Sequence, residues 1–240
     1  MIDWLRRTPA DLAIRIGERE LPIAIRRHAT ARRLVMRLAP DGSEVRVTLP
    51  RWSRTEDALV FARARRDWLE RQLRALPAAQ VPQAGGTLAY RGRDIAIDWH
   101  GSHPRKPRLD GETLRIGGPA ESLPTRAQRW LESEARRLLE EDLAFYCARA
   151  GHQAPPLRLS RAQRRWGSCS DRSGIRINWR LVQAPDAVRR SVVAHEVAHL
   201  THFDHSPAFH RALGGLFDGD LKAADGWLRA HGRSLYATFG

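Results

Sequence analysis

A chain of 240 residues, 42% hydrophobic and 28% charged, can bury a sizeable core as one large domain or two small ones, which argues against disorder. No uncharged apolar run reaches the ~18 residues that a membrane span requires, so no membrane partner is expected. The formal charge of +14 comes from 41 basic and 27 acidic residues. Lys106 and Lys222 are the only lysines, so the excess is almost wholly arginine, whose planar fork suits phosphate and carboxylate. Nucleic acid and phosphate-containing small molecules are therefore candidate partners, alongside the plainer reading of arginines scattered over a solvated surface. Cys147 and Cys169 cannot build a disulfide framework, and Met1 to Pro22 interleaves charges with apolar residues where a secretory segment would be continuous. A cytoplasmic location is expected.

In chain order, Leu34–Leu38 and Val45–Leu49 flank Asp41-Gly42 and predict a hairpin. Ser53-Arg54-Thr55-Glu56 reads as a capping box opening one helix that runs to about Leu76, just before Pro77. Pro77 to Gly86 reads as a loop, after which Leu88–Tyr90, Asp94–Trp99 and Thr113–Ile116 predict short strands. No internal repeat is visible. From Pro124 to about Ala150, Ala127, Trp130, Leu131, Leu138 and Tyr146 recur at helical spacing. Leu157–Leu159 and Gly174–Asn178 read as strands on either side of Arg164 to Ser170. Pro185-Asp186 then opens a helix that includes residues 195–199, and Leu221–His231 predicts a last one. The fold class expected is α+β: a β-rich region with a helix, residues 1–120, packed on a helical half with a short antiparallel edge sheet, residues 121–240.

The chemistry concentrates in His195-Glu196-Val197-Ala198-His199. On a helix, residues four apart share a face about 6 Å apart along the axis, so His195 and His199 can chelate one ion. Glu196 is turned about 100° from His195, at the edge of such a site, where it can take a proton from activated water. For a third ligand, His202 would stand about 10.5 Å along a continuing helix from His195, which is awkward for two bonds of ~2.0 to 2.1 Å. His205, returning from a turn after the helix, is preferred. With 10 histidines and 12 glutamates in the chain, an HExxH arises by chance in about two per cent of such sequences. A third histidine at one set position lowers that to on the order of 0.1%. The competing readings are a histidine-rich surface helix and a closed structural zinc site, which would want a fourth protein ligand and has no use for Glu196.

Arg165-Trp166-Gly167-Ser168-Cys169-Ser170, Ile177-Asn178-Trp179-Arg180-Leu181, Ala184-Pro185, and Val192 through Phe209 resemble the YgjP-like metallopeptidases, minimal zincins related to the SprT and WLM proteases. The clear resemblance covers about residues 160–212. It implies that His195, His199 and His205 bind zinc, that Glu196 is general base and acid, and that the Trp166–Asn178 region borders the cleft. Asp204, His210 and Ser191 stand where asparagine, tryptophan and tyrosine are common in that family.

Around this core, Gly167 reads either as a bulge or as a point of close substrate approach. Cys169 reads as a packed small hydrophobe more readily than as nucleophile or ligand. Asp204 either orients a ligand or caps a turn. Trp166, Trp179 and Phe209 read as core more readily than as substrate platforms; Arg161, Arg164 and Arg165 as a solvated basic face before an anion contact; Tyr236 and His210 as candidate oxyanion stabilisers. The function expected is a zinc-dependent hydrolase, first a metallopeptidase acting on polypeptide. The alternatives are a metal-dependent nucleotide phosphohydrolase of pyrophosphatase type, with arginines clamping phosphate, and a non-catalytic zinc-stabilised nucleic-acid-binding protein.

Overall fold

The computed structural model describes residues 12–78, 80–170 and 174–239. The stretch from Met1 to Asp11, read above for a secretory segment, lies outside them. Among the described residues no helix is long and apolar enough to cross a membrane. The architecture is α+β, with six α-helices and three small sheets among the described residues. The chain divides into two compact units, one within residues 1–79 and the other Gln80–Phe239.

In the first unit, strands β1 (Ala13–Ile16), β2 (Arg19–Arg27), β3 (Val35–Leu38) and β4 (Val45–Leu49) form a sheet in the order β1-β2-β4-β3. The expected hairpin is present as the antiparallel β3–β4 pair. One face alternates inward through Ile14, Ile16, Leu21, Ile23, Val45 and Val47, all buried. The helix expected over 55–76 is two helices, α1 (Thr55–Arg63) and α2 (Arg66–Arg74). Neither Gly nor Pro marks the break. It is made by a tightened bond from Arg65 N–H to the Ala62 carbonyl, 3.1 Å, with the Arg65 guanidinium lying 4.0 Å over the Phe61 ring. The capping residues are also one position later than expected: the Arg54 N–H donates to Asp57, 2.7 Å, while Ser53 is buried in the preceding turn.

The second unit opens with β5 (Thr87–Tyr90), β6 (Arg93–Trp99), β7 (Arg108–Asp110) and β8 (Thr113–Ile116), ordered β5-β6-β8-β7. This is the topology of the first sheet again. In both, two strands joined by a two-residue turn pair antiparallel, the second runs parallel to the fourth, and the third pairs antiparallel with the fourth. Registers coincide as well. Ile23 opposite Val45 corresponds to Ile97 opposite Leu114, and Arg37 opposite Arg46 to Arg108 opposite Arg115. The expectation of no internal repeat is thus corrected. The apolar core of β5–β8 is continuous with the helices that follow, so these strands group with residues 121–239, and the division falls after residue 79 instead of after residue 120.

Helix α3 (Leu123–Arg149) then spans the unit, burying Ala127, Leu131, Ala135, Leu139, Leu143 and Tyr146 on one stripe. A third sheet, β10-β11-β9, is formed by β9 (Leu157–Ser160), β10 (Gly167–Ser170) and β11 (Gly174–Asn178). Its edge pair β10–β11 is antiparallel, and β9 joins β11 in parallel, so the sheet is mixed. Helices α4 (Asp186–Ala198), α5 (Pro207–Leu216) and α6 (Leu221–His231) complete the unit.

Helix α4 is held at its start by charge. Arg189, buried, donates to Asp142 of α3 at 2.7 Å and also to Asp186, which Arg91 of the β5–β6 turn grips from outside. Burial pushes Asp142 above the ordinary carboxylate value, and Arg189 and Arg190 only partly offset it. At the more open Asp186 burial pushes the same way, but Arg91 and Arg189 together outweigh it and hold the group low. Arg189→Met strands the Asp142 carboxylate beside a weaker partner, Arg190 at 3.7 Å. The expected cost is about 3–5 kcal/mol in a urea titration; a loss below about 1 kcal/mol would show that this network does not anchor α4.

Candidate metal centre

The last turn of α4 carries the site. Pro185 leads into the helix and Val188, Val192, Val193 and Val197 bury its inner face, leaving His195 and His199 half-buried on one flank. The helix stops at Ala198, with His199 as its C-terminal cap. The carbonyl end of a helix favours a cation, so the two imidazoles sit where the backbone itself attracts positive charge. Beyond it the chain turns through residues 200–204 and returns His205 to the same point.

The Nε2 atoms of His195 and His205 are 3.3 Å apart, and ligand atoms of His195, His199 and His205 all lie within 4.8 Å of one another. Two nitrogens bound tetrahedrally at ~2.0 to 2.1 Å would be separated by about 3.3 to 3.4 Å. This donor set therefore fits one metal ion. His199 is oriented from behind: its Nδ1 lies 2.9 Å from the His202 carbonyl, which accepts its proton and leaves Nε2 free as a ligand. His202 thus contributes through its backbone, and the helix ends before its side chain could join the stripe. Burial, followed by the neighbouring histidines, lowers the His195 pKa to about 4, which keeps that ring in the neutral, ligating form.

Phe209 is the floor of the site. It is fully buried, with its ring stacked on His199 at 4.5 Å and edge-on to His195 and His205 at 5.0 and 4.9 Å. Ser206 caps α5 by accepting from the Phe209 N–H at 3.4 Å, and Pro207 fills the first helical position. Ser206-Pro207 is thus the local signal that sets both His205 and Phe209. Asp204 accepts from the Ser206 N–H at 3.3 Å, so it caps the turn.

Glu196 is buried against β10. A Cβ placed on Gly167 would lie 2.3 Å from its Oε1 and 2.6 Å from its Cγ, so the glycine is required by this carboxylate. Burial pushes Glu196 up to about 7, with Arg165 pulling the other way. Beside it opens a cavity of about 610 Å³. Trp166, Val192, Leu213, Leu221 and Leu228 give apolar walls, and Arg165, Lys222, Asp225 and His210 add polar groups.

The remaining candidates sort by position. Tyr236 is buried, and its hydroxyl engages the Ala162 carbonyl at 3.2 Å and the Asn178 amide at 3.1 Å, so it does not serve as an oxyanion stabiliser. Trp179 is core, under the Arg180 guanidinium. Arg161 pairs with Glu132 at 2.7 Å. Cys169 lies on β10 outside the histidine cluster. His210 lines the cavity, its ring 6.5 Å from that of His205.

A family model described as YgjP-like, metallopeptidase domain, matches residues 32–231. No curated protein and no solved structure matches the chain.

If Phe209 fixes the three rings, Phe209→Leu should keep the fold and weaken metal affinity by roughly tenfold, within the range for residues that support ligands. Competition with a chromogenic chelator measures this. Unchanged affinity in a folded variant would remove Phe209 from the site.

Proposed function

The chain belongs to the YgjP-like metallopeptidase family, and on that premise we propose that it is a zinc-dependent peptidase. In this reading His195, His199 and His205 hold the ion and Glu196 moves the protons. The observation that carries it is the pairing of a three-histidine cluster with a buried carboxylate one residue along the helix from His195. Neutral imidazoles are the commonest protein ligands of catalytic zinc, and three of them leave a position open. Zinc supplies Lewis acidity there, making water acidic near neutral pH and polarising a carbonyl.

The protein's own groups supply the rest. Glu196 takes a proton as water adds its oxygen to the amide carbon, and the same proton passes to the departing amine as the C–N bond breaks. Water is thereby split across the bond with nothing left over. Gly167 keeps Glu196 close by leaving room where a side chain would push it away. Strand β10 lies at the edge of its sheet, and among the described residues no strand pairs its other side. An extended polypeptide can add along such an edge through main-chain hydrogen bonds. The apolar walls beside Glu196 suit an amino-acid side chain, whereas a phosphate clamp needs cations converging on the reacting group. Of the two cations lining the cavity, Arg165 acts on Glu196, and Lys222 shares a helix with Asp225 of opposite charge.

Zinc-loaded protein should cleave an unfolded polypeptide, and Glu196→Gln should retain zinc while losing on the order of 10³ in turnover. A parallel assay on nucleoside triphosphates should give no Glu196-dependent release. Phosphate or pyrophosphate release that needs Glu196, without peptide cleavage, would overturn the proposal. Gly167→Ala should displace the Glu196 carboxylate and cut turnover on the order of 10² with zinc affinity unchanged; wild-type turnover would show that the close approach is unimportant.

A further inference from the structure

The two sheet repeats end in the same turn and fill it differently. In the first, the Ser53 N–H closes onto the Pro50 carbonyl at 3.3 Å, with Arg51 and Trp52 at the apex. In the second, the Ser122 N–H closes onto the Pro119 carbonyl at 3.1 Å, with Ala120 and Glu121 at the apex. The turn itself therefore does not need tryptophan or arginine. Yet Trp52 is 76% exposed, the most exposed large apolar side chain among the described residues.

Its surroundings are basic. Strands β2 and β4 run parallel and finish together, Arg27 beside Leu49, with the His28 N–H on the Leu49 carbonyl at 2.9 Å. Arg27 also reaches Thr55 at 3.1 Å, tying the end of β2 to the Pro50–Arg54 segment. Strand β3 starts at the same end, since Val35 opposes Thr48. Arg26, Arg27, Arg32, Arg33, Arg51 and Arg54 are all exposed on this end or the loops leaving it, and among the described residues no carboxylate forms an ion pair with any of them. The acids nearest in sequence are Glu56 and Asp57, and Asp57 is used by the Arg54 N–H. In the second repeat this sheet end is closed: Gly117 packs against the His103 carbonyl, and Arg126 donates to the carbonyls of Arg105 and Gly117.

We propose that the Trp52 turn and the arginines around it form a binding surface for single-stranded nucleic acid. Arginines would neutralise backbone phosphates, and the exposed indole would stack on a base. A duplex keeps its bases stacked on one another, so an aromatic platform at the surface selects unpaired strands. Residues 12–78 hold fifteen arginines against eight carboxylates, so the charge required is concentrated in this unit. An acidic polypeptide would satisfy the arginines but gives no reason for the exposed ring.

Fluorescence anisotropy of the full chain with a labelled twenty-nucleotide oligo-dT or oligo-U, across a salt series, tests this. Trp52→Ala should weaken binding about tenfold or more, while Trp52→Phe, which keeps a stacking face, should restore most of it. Arg32→Gln with Arg33→Gln should also weaken binding and reduce the salt slope by about 1.4. Arg105→Gln with Lys106→Gln, in the matched β6–β7 loop of the second repeat, should change little. Far-UV circular dichroism checks that each variant is folded. The proposal is overturned if Trp52→Ala binds as the wild type, if the control pair weakens binding as much as the Arg32/Arg33 pair, or if polyglutamate or anionic vesicles bind more tightly than the oligonucleotide and with the same dependence on Trp52.

Discussion

Three imidazoles have to point at one place, and the chain achieves this by ending a helix there. His195 and His199 come from the final turn of α4, and the break after Ala198 frees the chain to bring His205 around. Had the helix continued, the next histidine on the stripe would have been His202, too far along the axis to share an ion with His195. The same break turns the His202 carbonyl toward His199 and so selects its tautomer. Termination, the clustering of His205 in place of His202, and ring orientation are consequences of a single backbone event.

Around that event the packing is arranged to remove freedom. Phe209 contacts all three rings from below, and its place in α5 follows from the Ser206 cap directly after His205. At the other end of α4, Arg189 ties the helix to α3 through Asp142, and Arg91 ties Asp186 to the β5–β6 turn. Buried ionic groups of this kind give little net stability but are costly to disrupt one partner at a time. Between the two ends, Glu196 lies in a space that exists only because residue 167 lacks a side chain. The three histidines, Glu196 and the anchor are thus all placed by one thirteen-residue helix and what touches it.

The convergence of His195, His199 and His205 is legible in the sequence because it follows from helical period and from a distance limit, both of which need only residue spacing. Phe209 was legible as core but not as the shared floor, since contact with His195 crosses from α4 to α5. By sequence Gly167 reads as a bulge or a substrate approach; its neighbour is Glu196, twenty-nine positions away, and no local pattern records that. The internal repeat had a signal in Arg37-Leu38 with Asp41-Gly42 and Arg108-Leu109 with Asp110-Gly111. Between matched pairs, Leu38 to Val45 and Leu109 to Leu114, the first connection is two residues longer, which puts these out of step, and most matched buried positions are apolar in both without being identical, as Val45 with Leu114. The α1–α2 break lacked even that, because a tightened turn built from Ala and Arg leaves the apolar stripe intact.

X-ray absorption at the zinc edge of the metal-loaded protein tests the centre of this account most directly. Three nitrogen ligands and one oxygen at about 2.0–2.1 Å, with one nitrogen lost in His205→Ala, are predicted. A sulfur at about 2.3 Å, or an unchanged shell in His205→Ala, would contradict it.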